Sequence, residues 1–450
     1  MRTLTKLGTV GLLGFGVLQF FRPSVPFSSS AGSEVQVPHP VHQILEKDCY
    51  GCHSNERHLA WFDQVVPAWW LVGHDILTAR IHLNFSTLGS KPEPAQRAIL
   101  FESVNMVRLG AMPLRDFTAL HPDAKVTPSE LATLQDYLAP WSTMPPTAAV
   151  VNEADREPRV DLASVLPELN GLAFDPGFES WKPISFTDRG DNNTFRFILG
   201  NDIAVKAARS GQIAPWPDGA RFAKIAWQQE LGLDGLIHPG NFIQVEFMVK
   251  DARLYKGTAG WGWGRWRGLN LKPYGDNAGF TGECVGCHMP LRGADSVYTL
   301  PVTRAEVHQE EVVNRRAGDL PQSLPWQPLE WGAITMQVDR ATHTMGVLLG
   351  NREAMQSVQT QETRVGQTRA YPPGSVLALV TWSQRDDPHW FGARIPDVPL
   401  SVEFVSVPAG GAGPGYRRFD GVGLPEKTVP SGFAQQRANS ILNLTPAILP

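Results

Sequence analysis

All four cysteines of this 450-residue chain fall in two copies of one pentapeptide, Cys49-Tyr50-Gly51-Cys52-His53 and Cys284-Val285-Gly286-Cys287-His288. That spacing is the attachment signature of c-type haem. Two thiols three positions apart can add to the two vinyl groups on one porphyrin edge, while the adjacent histidine swings under the ring to ligate iron. Pairs of Cys-x-x-Cys can also hold zinc or form redox disulfides. Neither reading gives the two following histidines a role. The sequence therefore predicts two covalently bound c-type haems, attached through Cys49 and Cys52 and through Cys284 and Cys287, with His53 and His288 as proximal iron ligands.

The N-terminus carries Arg2 and Lys6, an apolar run from Leu7 to Phe21, then Arg22-Pro23 and a Ser/Gly-rich segment. This is the pattern of an export signal or a membrane anchor. The run is short beside the ~17–25 residues of a spanning helix, and Ser29-Ser30-Ala31 is a poor cleavage site. Residues 1–31 are read as an uncleaved anchor that leaves the body periplasmic at the inner membrane, where covalent haem attachment is completed. Charged residues make up 19% and the formal net charge is -4 with no strongly basic run, so neither nucleic acid nor an anionic membrane surface is an expected partner.

Three segments follow. From 36 to 147 the pattern is helical. Val41, Ile44 and Leu45 form a stripe leading into Cys49, and later Thr127, Pro128 and Glu130 make a capping box ahead of Leu131, Leu134, Tyr137 and Leu138, with Pro140 as the stop. Residues 153–171 are polar and Pro-punctuated and read as a linker, with the next domain beginning at about 165. Through 306, short alternating runs (Thr194 to Leu199, Arg221 to Trp227, Phe242 to Val249) between Gly/Asp/Pro turns have the rhythm of antiparallel β-structure. A charged stretch, Val307 to Asp319, leads to a last segment, 320–450.

That last segment repeats the previous one in order. Trp181-Lys182-Pro183 returns as Trp326-Gln327-Pro328, and Ile198-Leu199-Gly200-Asn201 as Leu348-Leu349-Gly350-Asn351. Trp216-Pro217-Asp218-Gly219 returns as Tyr371-Pro372-Pro373-Gly374, Val245-Glu246-Phe247 as Val402-Glu403-Phe404, and Arg265-Trp266-Arg267-Gly268 as Arg418-Phe419-Asp420-Gly421. The second copy has no cysteine, so it attaches no haem.

Opposite His53, the candidate ligands are Met112, His58, His74, His82 and His121. Met112, in Gly110-Ala111-Met112-Pro113, resembles the distal methionine loop of class I cytochromes c, with His82 the runner-up. Methionine ligation would raise the potential and fill the sixth position. The segment as a whole resembles small bacterial haem-binding domains through Cys49 to Glu56, His82-Leu83-Asn84-Phe85-Ser86, Met112-Pro113 and His121-Pro122. Around the second motif the only other histidine between Phe174 and Glu306 is His238, in a Gly/Pro turn, so an open iron position is expected there.

The residues ahead of the second motif resemble cytochrome P-460, the hydroxylamine-oxidising c-haem family. They are Arg196, Asp218-Gly219 with Lys224 beyond, and Glu246 before Val249-Lys250-Asp251, followed by Cys284 to His288 and Val297-Tyr298-Thr299. The resemblance implies a lysine bonded to a porphyrin meso carbon (Lys224), a proton-accepting carboxylate at the open iron (Glu246) and an arginine lining the pocket (Arg196). In the repeat these positions hold Leu379, Glu403 and Gly346. The expected architecture is an α+β multidomain chain, with a helical c-type haem domain and two antiparallel β-domains of the cytochrome P-460 type, the second without haem. The expected function is hydroxylamine oxidation at the second haem, with electrons leaving through the first to an external acceptor. A nitric oxide binder or a purely electron-transferring dihaem cytochrome is the alternative.

Overall fold

Val41, Ile44 and Leu45 are buried together on the helix His39–Asp48, which delivers Cys49 to the short helix Tyr50–His53. The computed structural model describes residues 11–28, 33–146, 160–304, 312–360, 370–410 and 413–450. Arg2, Lys6 and Ser29-Ser30-Ala31 lie outside them. The chain divides into two compact units, Met1–Pro140 and Trp141–Pro450.

The first unit is helical, with longer helices at Ala68–His82, Glu93–Arg108 and Pro128–Thr143. Residues 11–18 are helical with Leu12, Leu13, Phe15 and Leu18 exposed. Among the described residues no helix is long and apolar enough to cross a membrane. Beyond that helix the chain is tied to Ala68–His82, where Trp69 Nε1 donates to the Pro23 carbonyl (2.8 Å) and Trp70 Nε1 to that of Phe21 (2.7 Å). The capping box forms, since the Thr127 N–H donates to Glu130 Oε2 (2.8 Å) and the Glu130 N–H to Thr127 Oγ1 (3.3 Å). Pro140, however, does not end that helix, which runs to Thr143. A proline in the last turn removes one backbone donor where few bonds remain to be lost.

The second unit is built on a 12-stranded antiparallel sheet. Its strands are β1 (Lys182–Arg189), β2 (Thr194–Gly200), β3 (Arg221–Leu231), β4 (Ile237–Lys250), β5 (Trp261–Arg267), β6 (Lys272–Pro273), β7 (Gly332–Asp339), β8 (Thr344–Gly350), β9 (Val376–Asp386), β10 (Ala393–Ser406), β11 (Gly415–Asp420) and β12 (Glu426–Lys427). The ladder closes on itself, because Ile237 of β4 pairs with Val338 of β7 and Asp188-Arg189 of β1 with Arg394-Ala393 of β10. Closure covers the otherwise free edges of β1 and β7, while the two-residue strands β6 and β12 each pair on one side. The two β-segments are thus halves of one compact unit around a shared core that includes Phe186, Phe197, Trp227, Phe247, Trp382 and Phe404.

The halves match in detail. Bulges fall at Pro183/Ser185 and at Ala333/Thr335. Asn201 and Asn351 each accept from an N–H three residues on (3.0 and 3.1 Å) and donate to the carbonyl of Gly219 or Gly374 (2.8 and 2.9 Å). Those glycines have φ of 86° and 89°, a left-handed turn suited to glycine. One correspondence shifts. Lys182 pairs with Gly200 and Gly332 with Gly350, so the counterpart of Trp181 is Trp331, and Trp326 precedes a separate 3-10 turn, Pro328–Glu330. A Trp-x-Pro match alone had set the register five residues early.

Two expected connectors are structural. Of the 153–171 segment, residues 160–171 are described and strap β5 and β6. Glu168 is 2% exposed and its Oε1 accepts from the N–H groups of Arg265 (2.9 Å) and Tyr274 (3.1 Å). Within Val307 to Asp319, Val313, Asn314 and Ala317 are buried, and Trp382 Nε1 donates to the Ala317 carbonyl (2.9 Å). Polar composition misled because buried Glu168 and Asn314 satisfy backbone groups that water cannot reach.

Candidate haem-binding sites

Strand alternation assembles the second site. Ile198 lies opposite Lys224, Lys224 opposite Glu246, and Glu246 opposite Arg265, so side chains from β2, β3, β4 and β5 share one face, with Arg196 two residues along from Ile198. The opposite face belongs to the shared core. The site face also carries Phe222, Trp261 and Trp263, and Cys284 and Val285 of the helix Thr281–His288 pack against this cluster.

His288 is pre-set to ligate. Its Nδ1 lies 2.8 Å from the Ser296 carbonyl, which can only accept, so Nδ1 carries the hydrogen and Nε2 keeps its lone pair. Burial pushes the imidazole down to about 4, keeping it neutral. Its ring lies 4.5 Å from that of Trp263 and 5.0 Å from that of Tyr298, whose hydroxyl donates to the Cys287 carbonyl (2.6 Å). Asp295 and Ser296 both adopt left-handed backbone, at φ 50° and 66°. Lys250 Nζ holds the Asp295 carboxylate at 2.8 and 2.9 Å, and Trp261 Nε1 donates to the Asp295 carbonyl (2.8 Å). This clamp fixes the carbonyl that orients His288.

Glu246 sits among cations. It is ion-paired with Lys224 and with Arg265, whose Nε is 2.8 Å from Oε1, and it accepts from Gln244. Burial opposes its ionisation, but Lys224, Arg265 and Arg196 outweigh burial and hold the carboxyl down at about 2. Lys224 moves the other way for its type. Burial brings it down to about 8 despite Glu246, with Arg196 and Arg265 adding repulsion. Burial and Arg189 bring Arg196 down to about 9. Three cations against one carboxylate make the lysine, the weakest base of the three, the group that gives up its proton first.

These groups are not sealed in a core, since Lys224, Glu246 and Arg265 keep 25%, 15% and 20% of their side-chain surface. Arg196 Nε and Trp263 Nε1 are buried without a hydrogen-bond partner among the described residues. Orphaned donors beside a neutral, oriented imidazole and two free thiols suit a large planar cofactor with acceptor groups. Among the described residues no three His, Cys, Asp or Glu side chains converge as a metal-ion site.

In the other half the same face is filled. Glu403, opposite Leu379 and Arg418, is gripped by Arg437 at 2.8 Å through both guanidinium contacts. Arg437 belongs to the helix Ser431–Leu442, whose Ala438 and Ile441 pack onto Leu348, Leu379 and Val405. That helix follows β12 as the cysteine-bearing helix follows β6.

In the first unit His53 repeats the arrangement, with Nδ1 3.1 Å from the Leu83 carbonyl and burial lowering its pKa. Burial pushes the Cys49 thiol up to about 12 and Cys52 to about 11. His82, exposed at the end of Ala68–His82, is close enough for its charge to lower His53 further. Met112 is 36% exposed, four residues beyond the helix Glu93–Arg108. His121 is engaged by Asp63 (2.8 Å) between the rings of Phe62 and Phe117, and His58 by Glu56 (2.9 Å), while His74 is exposed.

Sequence reasoning missed Arg265, Trp263 and the Lys250–Asp295 clamp. In the letters Arg265 stands out only as part of the repeat. Its recurrence as Arg418 opposite the other glutamate was the available signal.

Residues 13–140 match the family model described as a haem-binding domain, and residues 175–299 match that of cytochrome P460. The second match spans Arg196, Lys224, Glu246 and the whole Cys284 to His288 motif. No curated protein matches the chain.

Proposed function

From a chain that joins a haem-binding domain to a cytochrome P460 domain, we propose a dihaem c-type cytochrome that oxidises hydroxylamine at the Cys284/Cys287/His288 site. Electrons leave through the Cys49/Cys52/His53 site to an external acceptor. The observation that carries this reading is the shared face on which Lys224, Glu246, Arg265 and Arg196 meet the cysteine-bearing helix. A haem held there supplies a one-electron redox centre with Lewis-acid character at the iron.

The chain's own groups do the rest. His288 offers Nε2, while the Ser296 carbonyl holds the opposite nitrogen. Glu246 is the proton acceptor for the substrate's N–H and O–H groups, and Arg196 donates to its oxygen. While paired with Lys224 and Arg265, a carboxylate near 2 is a weak base at neutral pH. A Lys224 Nζ held on a porphyrin carbon, as in the cytochrome P-460 family, would no longer be an ammonium beside Glu246, and the carboxylate's proton affinity would climb. Residues from about 320 onward are a haemless copy of the cytochrome P460 fold, and residues 1–31 anchor the protein at the periplasmic face of the inner membrane.

The test is a reduced-state spectrum of purified protein together with hydroxylamine-dependent reduction of an artificial acceptor. A red-shifted band with turnover supports the enzyme. Tight nitric oxide binding without turnover favours the gas-binding alternative, which Arg196 and an open iron position would equally serve.

A further inference from the structure

The turn between β9 and β10, residues 387–392, belongs to the half without cysteines, yet it touches the His288 site at two places. His389 Nδ1 lies 2.7 Å from the carbonyl of Tyr298, so it donates there. Tyr298 in turn bonds the Cys287 carbonyl through its hydroxyl and sets its ring edge-on to His288. The Trp390 ring meets Tyr298 edge-on at 5.5 Å. From the same indole, Nε1 donates to Asp191 Oδ2 (3.0 Å), and the ring lies 4.4 Å beneath the Arg189 guanidinium. Arg189 and Asp191 are bonded to each other, with Nε 2.6 Å from Oδ1, and both charges act directly on Arg196. The turn is itself rigid. The Trp390 N–H donates to the Asp387 carbonyl (3.3 Å), the His389 N–H to Asp387 Oδ1 (2.8 Å), and the Asp191 N–H to the Gly392 carbonyl (3.2 Å).

The first half has no such wedge. The matching turn between β3 and β4, residues 232–236, projects Leu233 fully into solvent, while Trp390 is 9% exposed. Pseudo-symmetric halves thus differ where one of them meets a site.

We propose that Trp390 and His389 are positioning residues of the His288 site, supplied by the half that carries no cofactor of its own. Through Tyr298 they set the segment that holds Cys287 and His288. Through Asp191 and Arg189 they hold the charged pair whose field falls on Arg196. The half without cysteines therefore completes the pocket of the other and does more than cover its edge. This inference rests on the haem reading of the Cys284/Cys287/His288 site.

The experiment uses the full-length, haem-loaded protein with cyanide as the probe of ferric iron, in wild type, Trp390→Phe and His389→Ala. Trp390→Phe deletes the bond to Asp191 while keeping a ring under Arg189 and beside Tyr298, so folding is preserved. Covalent haem content and melting temperature should stay at the wild-type level in both variants. The cyanide dissociation constant should change about tenfold, the low end for loss of an outer-shell partner. The low-spin spectrum of the His53 haem should not move. Variants that bind cyanide as wild type does, with full haem loading, overturn the inference and leave the site reading standing. Wild-type protein with no haem on Cys284 and Cys287 overturns both.

Discussion

Glu246 and Glu403 occupy the same register position in the two halves of one sheet, each opposite an arginine on the neighbouring strand, Arg265 and Arg418. What differs is the third partner. Glu246 meets Lys224 across the ladder, whereas Glu403 meets Leu379 and takes its cation from Arg437 on the covering helix. One carboxylate keeps 15% of its side-chain surface, and the other, at 5%, is locked under packed side chains. Glu246→Gln should retain covalent haem but lose ~10²–10⁴-fold in hydroxylamine turnover, as for a positioned general base. Glu403→Gln should lower the melting temperature and leave spectrum and turnover unchanged.

Haem stoichiometry tests the motifs directly. Denatured wild-type protein should retain two covalent haems. Cys284→Ala with Cys287→Ala should leave one, seen as a halved haemochrome absorbance per chain. In that variant Met112→Ala should convert the remaining haem from low spin. An unchanged spectrum would transfer the ligand role to His82, which lies beside His53.

Lys224→Ala should remove the red-shifted reduced band while thioether attachment survives. The measurement is a reduced spectrum paired with intact-mass analysis, and a variant that keeps the band would refute a crosslink at this residue.

The ion pair also predicts a pH dependence for the Cys284→Ala/Cys287→Ala chain, whose second site carries no haem. Glu246 is held at about 2, below its ordinary 4.5, so its contribution to stability is full above 4.5 and is lost as pH falls toward 2. Lys224 is held at about 8 against 10.5, so the unfolded chain binds more protons between those values and stability from this residue rises with pH across that window. Denaturant titrations of this chain and its Lys224→Met variant should differ in slope with pH between 8 and 10.5. Parallel curves would contradict the assignment.

The seam between the halves offers a stability test. Asp188 is fully buried, with Arg340 Nη2 at 2.9 Å and the side-chain amides of Gln229 (2.6 Å) and Gln384 (3.0 Å) donating to its two oxygens. Asp188→Ala leaves Arg340 bonded to the Ser142 carbonyl and Gln229 but without its carboxylate, and should cost ~3–5 kcal/mol in denaturant unfolding.

Much of the site was legible because covalent and periodic constraints are local. The cysteine spacing is written in the letters, and the capping box at Thr127 and Glu130 forms in the structure, whereas Lys224 and Glu246 were singled out by resemblance and their pairing across the ladder is a matter of register. Long-range closure was not legible. Nothing in the letters shows Ile237 meeting Val338 or Asp188 meeting Arg394, so two β-domains were expected but not the single ladder that runs through both. Residues whose role is to hold others in place, such as Lys250 against Asp295, have no spacing rule to reveal them. Glu168 looked like linker because its acceptors face backbone donors some hundred residues away.

Asp188 draws an amide from each half, Gln229 on β3 and Gln384 on β9, onto a single carboxylate. A symmetric pair of separate chains would place two such carboxylates at the seam, one from each β1-type strand. Here the corresponding strand position in β7 is Val338, and the second negative charge is gone. The two halves are not interchangeable, and a separated half would not pair with a copy of itself without crowding two acids or leaving two pairs of amides unserved. Heterodimer-like complementarity inside one polypeptide lets the two halves carry different side chains at matching positions, as Lys224 and Leu379 do opposite their glutamates.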